Sequence, residues 1–175
     1  MYKITGNEEI EIIGIRVLSD ITFPQVYTIY IGEERPIFFN NRLILFGNIE
    51  NAEKAIKTAN CGAERLLTSP SREPSYIFDF VKVFDELSCK KNKIIHYDGF
   101  VSCLNLLEDF YFNTMKKSER LKDIYFLKIF SASFYFFEHK EITPFFTREG
   151  YERKELLDSI AYVIGKILLT AKYIV

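Results

Sequence analysis

The sequence lacks the short motifs that would assign a nucleotide, a dinucleotide or an acyl-transfer reaction to it. Its 8 glycines are scattered over 175 residues. No Gly-x-Gly-x-x-Gly, Walker or Gly-x-Ser-x-Gly pattern occurs, so neither a phosphate-binding loop nor a nucleophile elbow is predicted. The sequence therefore predicts no cofactor and no familiar active site.

Histidine and cysteine are scarce as well. The two histidines, His96 and His139, belong to no His-Glu-x-x-His or His-x-His cluster. The three cysteines, Cys61, Cys89 and Cys103, cannot all pair within one chain and are not spaced like metal ligands. We therefore expect no metal site, and we expect free thiols buried as small hydrophobic side chains in a reducing cytosol.

A strong charge of either sign is absent. The 23 basic and 24 acidic side chains leave a net charge of −1, so no overall field attracts the chain to nucleic acid or to an anionic membrane. The two long apolar runs are also unsuited to a bilayer. Ile124 to Phe137 is only about fourteen residues long, and Leu156 to Val175 contains three charged residues. We expect a soluble cytoplasmic protein without membrane or nucleic-acid partners.

What the sequence has in quantity is apolar and aromatic residues, at 48% and 16% of the chain. This composition excludes disorder. The first third favours strands, with a slip in alternation at Ile12-Ile13 beside Gly14 that predicts a β-bulge. Asn40-Asn41 predicts a tight hairpin, because asparagine tolerates positive φ. The predicted strands are Glu9 to Leu18, Val26 to Ile31, a strand that begins at Pro36 either at an edge or with its first donor position unpaired, and Leu43 to Phe46.

The rest of the chain has the period of helices. Asn48 is the expected N-cap of the first helix, which reaches Ala59 and can end at Gly62. Further helices are predicted from Ser75, from Asp98, over Leu121 to Phe137 and from Thr147, after a break at Pro144. Leu121 to Phe137 fits both periods, and its length favours helix. These elements predict an α+β fold for residues 1–175 as one domain, an N-terminal antiparallel β-meander of about four strands packed with about four to five C-terminal helices.

Two segments resemble elements of a known group of proteins. Ile44 to Ile56 is a strand followed by a helix rich in alanine and lysine, and Asp98 to Met115 is a helix with the core Cys-Leu-Asn-Leu-Leu-Glu-Asp. Both resemble small bacterial immunity proteins of contact-dependent inhibition and related polymorphic toxin systems. The resemblance covers about a third of the chain.

The resemblance implies that the chain is not an enzyme and that it inhibits a cognate toxin domain, such as a nuclease, by stoichiometric binding. Charge complementarity would then speed association, and aromatic anchors would slow dissociation. The candidate contacts are acidic and aromatic residues expected on loops: Glu33, Glu34, Glu73, Tyr76, Glu138, Glu141 and Tyr151. The edge strand near Pro36 offers a second mode, in which the toxin adds a strand to the sheet.

Two alternatives of other classes stay open. A small enzyme could use His96, Tyr97 and Asp98, although a turn histidine followed by a helix-capping aspartate explains the same residues. A nucleic-acid-binding regulator could use the basic clusters, which are Lys90, Lys91, Lys93, Lys116 and Lys117. The oligomeric state does not follow from the sequence.

Overall fold

The computed structural model describes residues 10–32, 36–58, 73–114 and 123–175. Within these ranges the chain forms six strands and six helices, which confirms the α+β class. The order along the chain is β1 (Ile10–Arg16), β2 (Val26–Ile31), β3 (Phe38–Phe39), β4 (Arg42–Phe46), α1 (Ile49–Thr58), β5 (Tyr76–Asp79), α2 (Phe80–Ser88), α3 (Tyr97–Thr114), α4 (Ile124–His139), α5 (Thr143–Glu149), α6 (Arg153–Thr170) and β6 (Lys172–Ile174).

The chain divides into two compact units. The first comprises Met1–Phe78 together with Ala171–Val175, and the second comprises Asp79–Thr170. The first unit contains the sheet and α1, and the second contains the other five described helices. That residues 1–175 act as one domain stays a prediction.

The sheet of the first unit has the order β3-β4-β2-β1-β5, with β6 paired to β4. The antiparallel pairing of the first four strands, the edge position of β3 and the hairpin are confirmed. Asn40 and Asn41 have φ values of 50° and 60°, and Phe39 pairs with Arg42 across the turn. β6 is parallel to β4, so the sheet is mixed and the purely antiparallel prediction is corrected.

The predicted bulge in β1 is wrong. β1 and β2 pair without interruption from Ile10 opposite Ile31 to Ile15 opposite Val26. The alternation is blurred because Ile12, Ile13 and Ile15 are all buried, so both faces of the strand are covered. The glycine at position 14 is explained by close packing and not by a bulge, because a Cβ there would lie 2.5 Å from Cγ of Pro24.

The core of the first unit lies between the sheet and α1. Ile49, Ala52 and Ile56 form the buried face of α1, and they pack with Ile10, Ile12, Ile29, Ile31 and Phe46 of the strands. The predicted N-cap is confirmed, because Oδ1 of Asn48 accepts the Asn51 amide at 2.8 Å. Gly62 lies outside the described residues.

Two predicted helix starts are wrong. Ser75 precedes strand β5, and α2 begins only after Asp79, whose carboxylate accepts the Lys82 amide at 3.3 Å. Thr147 lies inside the short helix α5, where Pro144 occupies the first turn, a position that tolerates the missing N–H. Gly150, with φ of 70°, ends α5 before α6 begins.

The long central helix is confirmed. α4 covers most of the segment for which both periods fit, and its N-cap is Asp123, whose carboxylate accepts the Tyr125 amide at 3.0 Å. Lys140 ends it in the left-handed conformation. Within the second unit α4 packs against α3, α5 and α6.

Candidate protein-binding surface on helix α4

Helix α4 is apolar on nearly all of its sides. One side is core: Phe126, Ile129, Ala132 and Phe136 are buried. The ring of Phe136 contacts those of Phe100 and Phe145 at centroid distances of 5.5 and 5.0 Å. A helix with a solvent-facing side normally carries polar residues there, and a helix that is hydrophobic all round is normally buried. The outer side of α4 therefore needs an explanation.

That outer side carries five large apolar residues in water, which we call the α4 stripe. Their exposed fractions are 57% for Ile124, 38% for Leu127, 43% for Phe130, 59% for Phe134 and 66% for Phe137. Successive members are three or four positions apart, so they lie along one face of the helix. The sequence places them there and the packing of α4 leaves them exposed.

The α4 stripe is about as large as the largest apolar patch on the surface of a typical monomer. An aromatic side chain presents about 200 Å², so the three phenylalanines alone leave on the order of 300 Å² of apolar surface in water. Contiguous apolar patches of about 300–600 Å² are the largest on a typical monomer and commonly mark interaction sites. The stripe is thus large enough to form the centre of a protein interface.

Charge is nearly absent from the α4 stripe. Lys128 is turned inward and buried, its Nζ lying 3.5 Å from Oε1 of Glu155 and 5.4 Å from the ring centre of Tyr151. Glu138, which is exposed, follows Phe137 at the C-terminal end of the helix and lies on the same side as Leu127. The stripe is therefore an apolar strip with an exposed glutamate at its C-terminal end, where Lys140 also follows.

A partly buried polar pair joins α4 to α3 behind the stripe. The Ser133 hydroxyl donates to the Glu108 carboxylate. Burial, and after it the nearby charge of Asp109, raises the pKa of Glu108 to about 8. Glu108 is therefore largely protonated at neutral pH, and the sequence offers no sign of this.

The predicted partner contacts are divided between the two units. Glu73 and Tyr76 are exposed in the first unit, whereas Glu138, Glu141 and Tyr151 lie in the second. Glu33 and Glu34 lie outside the described residues. Of the five described residues, only Glu138 lies beside the α4 stripe. Glu141 pairs with Lys93 in an isolated β-bridge, and the ring of Tyr151 lies 6.2 Å from that of Phe145.

A second feature is a groove at the C-terminal end of α2. Its volume is about 220 Å³, and Lys82, Asp85, Glu86, Cys89, Lys91, Lys93, Ile95 and His96 line it. The Glu86 carboxylate is buried and accepts the amides of Ile95 at 2.7 Å and His96 at 2.6 Å. These two hydrogen bonds fix the loop before α3, and His96 lines the open groove.

The structure does not gather the catalytic residues proposed from the sequence around the groove. His96 lines it, whereas Tyr97 donates its hydroxyl to the Phe137 carbonyl and carries the Lys140 ammonium 4.3 Å from its ring centre. Burial raises the pKa of Tyr97, and the charge of Asp98 adds to the shift. His139 stacks on Tyr135 at 4.2 Å.

The thiol prediction is corrected in part. Cys103 is buried, and burial raises its pKa, which makes it unreactive as expected. Cys89 is also free but exposed, because it follows the last residue of α2 at the groove. Cys61 lies outside the described residues, as do Lys116 and Lys117 of the proposed basic surface.

Metal sites and membrane-spanning helices are absent from the described ranges. These ranges contain no cluster of three or more histidine, cysteine, aspartate or glutamate residues suited to a metal ion. In the same ranges, none of the helices combines the length and the hydropathy required to cross a membrane.

Comparison with protein-family models, with curated proteins and with solved structures finds no match to this chain.

Sequence reasoning misses the α4 stripe, although its signal is in the sequence. Between Ile124 and Phe137, Lys128 is the single charged residue, so no polar face can be drawn on the helix. Such a run is interpreted as part of the core, because helices that are apolar on all sides are usually buried. Which side of it is exposed depends on the packing of α3, α5 and α6.

Proposed function

We propose that this chain is a protein-binding inhibitor, an immunity protein that neutralises a cognate toxin domain by stoichiometric contact through the α4 stripe. The observation that supports the proposal is the exposure of five large apolar side chains on one helix face. Exposing them in water is unfavourable, and covering them with a partner removes that cost.

The stripe has the composition of an interface centre. Three phenylalanines supply rigid apolar area, and such anchors contribute most of the binding energy in protein interfaces. Glu138 at the end of the stripe is placed at the rim, where a charge steers association more than it strengthens the complex. A basic toxin domain, such as a nuclease, is the partner class that fits this glutamate.

The test is binding to the toxin domain encoded by the neighbouring gene. The wild-type chain should form a 1:1 complex in calorimetry and should abolish the activity of the toxin. Phe134→Asp, which places a charge at the middle of the stripe, should weaken binding by at least about a hundredfold. Leu169→Asp is the matched control, because Leu169 is an exposed apolar residue of the same unit on α6.

Equal weakening by Phe134→Asp and Leu169→Asp would contradict the assignment of the surface. Absence of any binding to the neighbouring toxin domain would contradict the inhibitor function. Glu138→Lys separates the rim from the centre: it should slow association with a basic partner and leave the dissociation rate nearly unchanged.

A second candidate function, a small enzyme, is favoured by the groove at α2. An imidazole, a carboxylate and a thiol, from His96, Asp85 and Cys89, border one space. The test is turnover of nitrophenyl esters and phosphates at acidic, neutral and alkaline pH. Activity that is lost in His96→Ala and kept in His139→Ala would support an enzyme, and equal background rates in all three proteins would contradict it.

A further inference from the structure

The loop before α3 brings two lysines of the basic cluster to the groove at α2. Lys91 and Lys93 line the groove together with His96 and with Ile95, whose side chain is 62% exposed. Lys90 belongs to the same cluster but is not among the lining residues. The rest of the lining comes from one face of α2 and its C-cap: Lys82, Asp85, Glu86 and Cys89. The groove thus combines lysines with an apolar side chain in one concave space.

The loop that carries these lysines is fixed by hydrogen bonds. Arg153 of α6 donates to the carbonyls of Cys89 and Lys91. Asn92 accepts two backbone amides at the start of α5, at 2.7 and 3.0 Å. The buried Glu86 carboxylate accepts two further amides from the same loop. A loop that is already ordered loses little conformational entropy when a ligand binds, so the groove is preorganised.

The cations of the groove are only partly neutralised. Lys82 lies 3.9 Å from Oδ2 of Asp79. Lys91 and Lys93 form no salt bridge within the part of the chain that the structure describes, although Glu141 lies opposite Lys93 in the isolated β-bridge. Two ammonium groups at the groove are therefore able to pair with a bound anion.

The two acidic residues of the lining differ in what they present to a ligand. Glu86 is buried, and each of its carboxylate oxygens is engaged by a backbone amide. Asp85 is exposed on α2 and is the one carboxylate of the lining that solvent reaches freely. Against the two ammonium groups of Lys91 and Lys93 stands one exposed carboxylate, so the groove attracts negative charge more than positive charge.

We propose that this groove binds a small organic anion, a phosphate monoester or a carboxylate. Its charged group pairs with Lys91 and Lys93, as lysine does with such groups, and its apolar body lies against Ile95. The volume of about 220 Å³ is below the about 300–1,000 Å³ of pockets for drug-sized ligands, so a ligand of about ten non-hydrogen atoms suits it. We expect a dissociation constant on the order of 1 mM for so small a ligand.

Titration with phenyl phosphate and with benzoate, followed by nuclear magnetic resonance, tests the proposal. Both anions should shift the backbone signals of the loop before α3, and the tighter of the two identifies the charged group. Phenol has the same ring without the charge and should bind at least about tenfold more weakly. Equal binding of phenol and the anions, or no shift of the loop signals at about 10 mM anion, would overturn the proposal.

The basic cluster offers a matched pair of variants. Lys91→Glu should weaken binding of the tighter anion at least about tenfold, because it reverses a charge in the groove. Lys90→Glu reverses the same charge one residue away, outside the groove, and should change the affinity by no more than about threefold. Equal weakening in the two variants would overturn the groove as the binding site.

Asp85→Asn tests the sign of the ligand charge. It removes the exposed carboxylate of the groove and should strengthen anion binding about two- to fivefold. Because affinity rises in this variant, a folding defect cannot produce the expected result. Weaker anion binding in Asp85→Asn would overturn the proposal.

A short single-stranded oligonucleotide distinguishes a small ligand from nucleic acid. Oligonucleotide binding at least about a hundredfold tighter than that of phenyl phosphate, and weakened equally by Lys90→Glu and Lys91→Glu, would overturn the small-ligand class in favour of a nucleic-acid surface.

The anion site goes beyond the proposed inhibitor function, and the titration requires neither a toxin domain nor turnover. Failure to bind the toxin domain would contradict the inhibitor function alone. Anion binding without turnover would contradict only the second candidate function, the small enzyme.

Discussion

Helices α1 and α4 both bury one apolar face, but they differ in the residues that they expose to solvent. In α1 the apolar residues Ile49, Ala52 and Ile56 are buried against the sheet, and charged residues such as Lys54 face water. In α4 one face is likewise buried, but the opposite face carries phenylalanines instead of charges. The outward face of α1 is polar, whereas the outward face of α4 leaves five large apolar side chains in water.

The largest expected effect separates the two faces of α4. Phe136→Ala should destabilise the fold by about 3–5 kcal/mol, because Phe136 is fully buried and its loss leaves a cavity between Phe100 and Phe145. Urea unfolding followed by circular dichroism measures the change.

Phe134→Ala is the matched control for Phe136→Ala, since it removes the same atoms from the outer face two residues away. It should change the free energy of unfolding by no more than about 0.5 kcal/mol at micromolar protein concentration. Similar losses for the two variants would mean that the outer face is not a free surface and would remove the contrast with α1.

A smaller effect on stability is expected from the pair of Ser133 and Glu108 behind the α4 stripe. The pKa of Glu108 is raised in the folded chain, so the folded state holds a proton that the unfolded state releases. Stability should therefore fall as the pH rises from about 4.5 to about 8 and should level off above that.

Glu108→Gln should remove this part of the pH dependence. Because the carboxyl group is only partly buried, water screens part of the cost, and we expect a gain of about 1–2 kcal/mol at about pH 9. Thermal unfolding at acidic, neutral and alkaline pH measures it, with the exposed Glu138→Gln as the control. A wild-type stability that rises with pH over this range, by an amount that Glu108→Gln abolishes, would contradict the expected direction of the pH dependence.

The smallest effect belongs to α1. Asn48→Ala removes the side-chain acceptor of the Asn51 amide and should cost about 1 kcal/mol, whereas Asn48→Asp should retain most of the stability. Both variants should leave toxin binding unchanged, because α1 already buries its apolar face. A weakening of toxin binding in Asn48→Ala at a concentration where the chain is folded would count against the contrast between the two helices.

Much of the fold follows from local signals in the sequence. The Asn40-Asn41 hairpin, the Asn48 cap and the helix over most of Leu121 to Phe137 depend on neighbouring residues and are predictable for that reason. The strands β5 and β6 are missed because each is short and continues an apolar run that also fits a helix. Their strand state depends on pairing with distant residues.

The candidate site is predictable only in part. Among the acidic and aromatic residues expected as contacts that the structure describes, Glu138 alone lies beside the stripe. The groove around His96 depends on two hydrogen bonds that the Glu86 carboxylate accepts from backbone amides in the loop before α3. The periodicity of the sequence does not reveal such hydrogen bonds. Exposure of an apolar helix face is a property of the packed chain.

The most direct measurement is carbene footprinting of the chain alone at low concentration and with an excess of the toxin domain. We expect Phe130, Phe134 and Phe137 to be labelled in the free chain and protected in the complex, while Phe23 and Ile95, which are also exposed, keep their labelling. Unchanged labelling of the three phenylalanines in a formed complex would contradict the role of the α4 stripe as the binding surface.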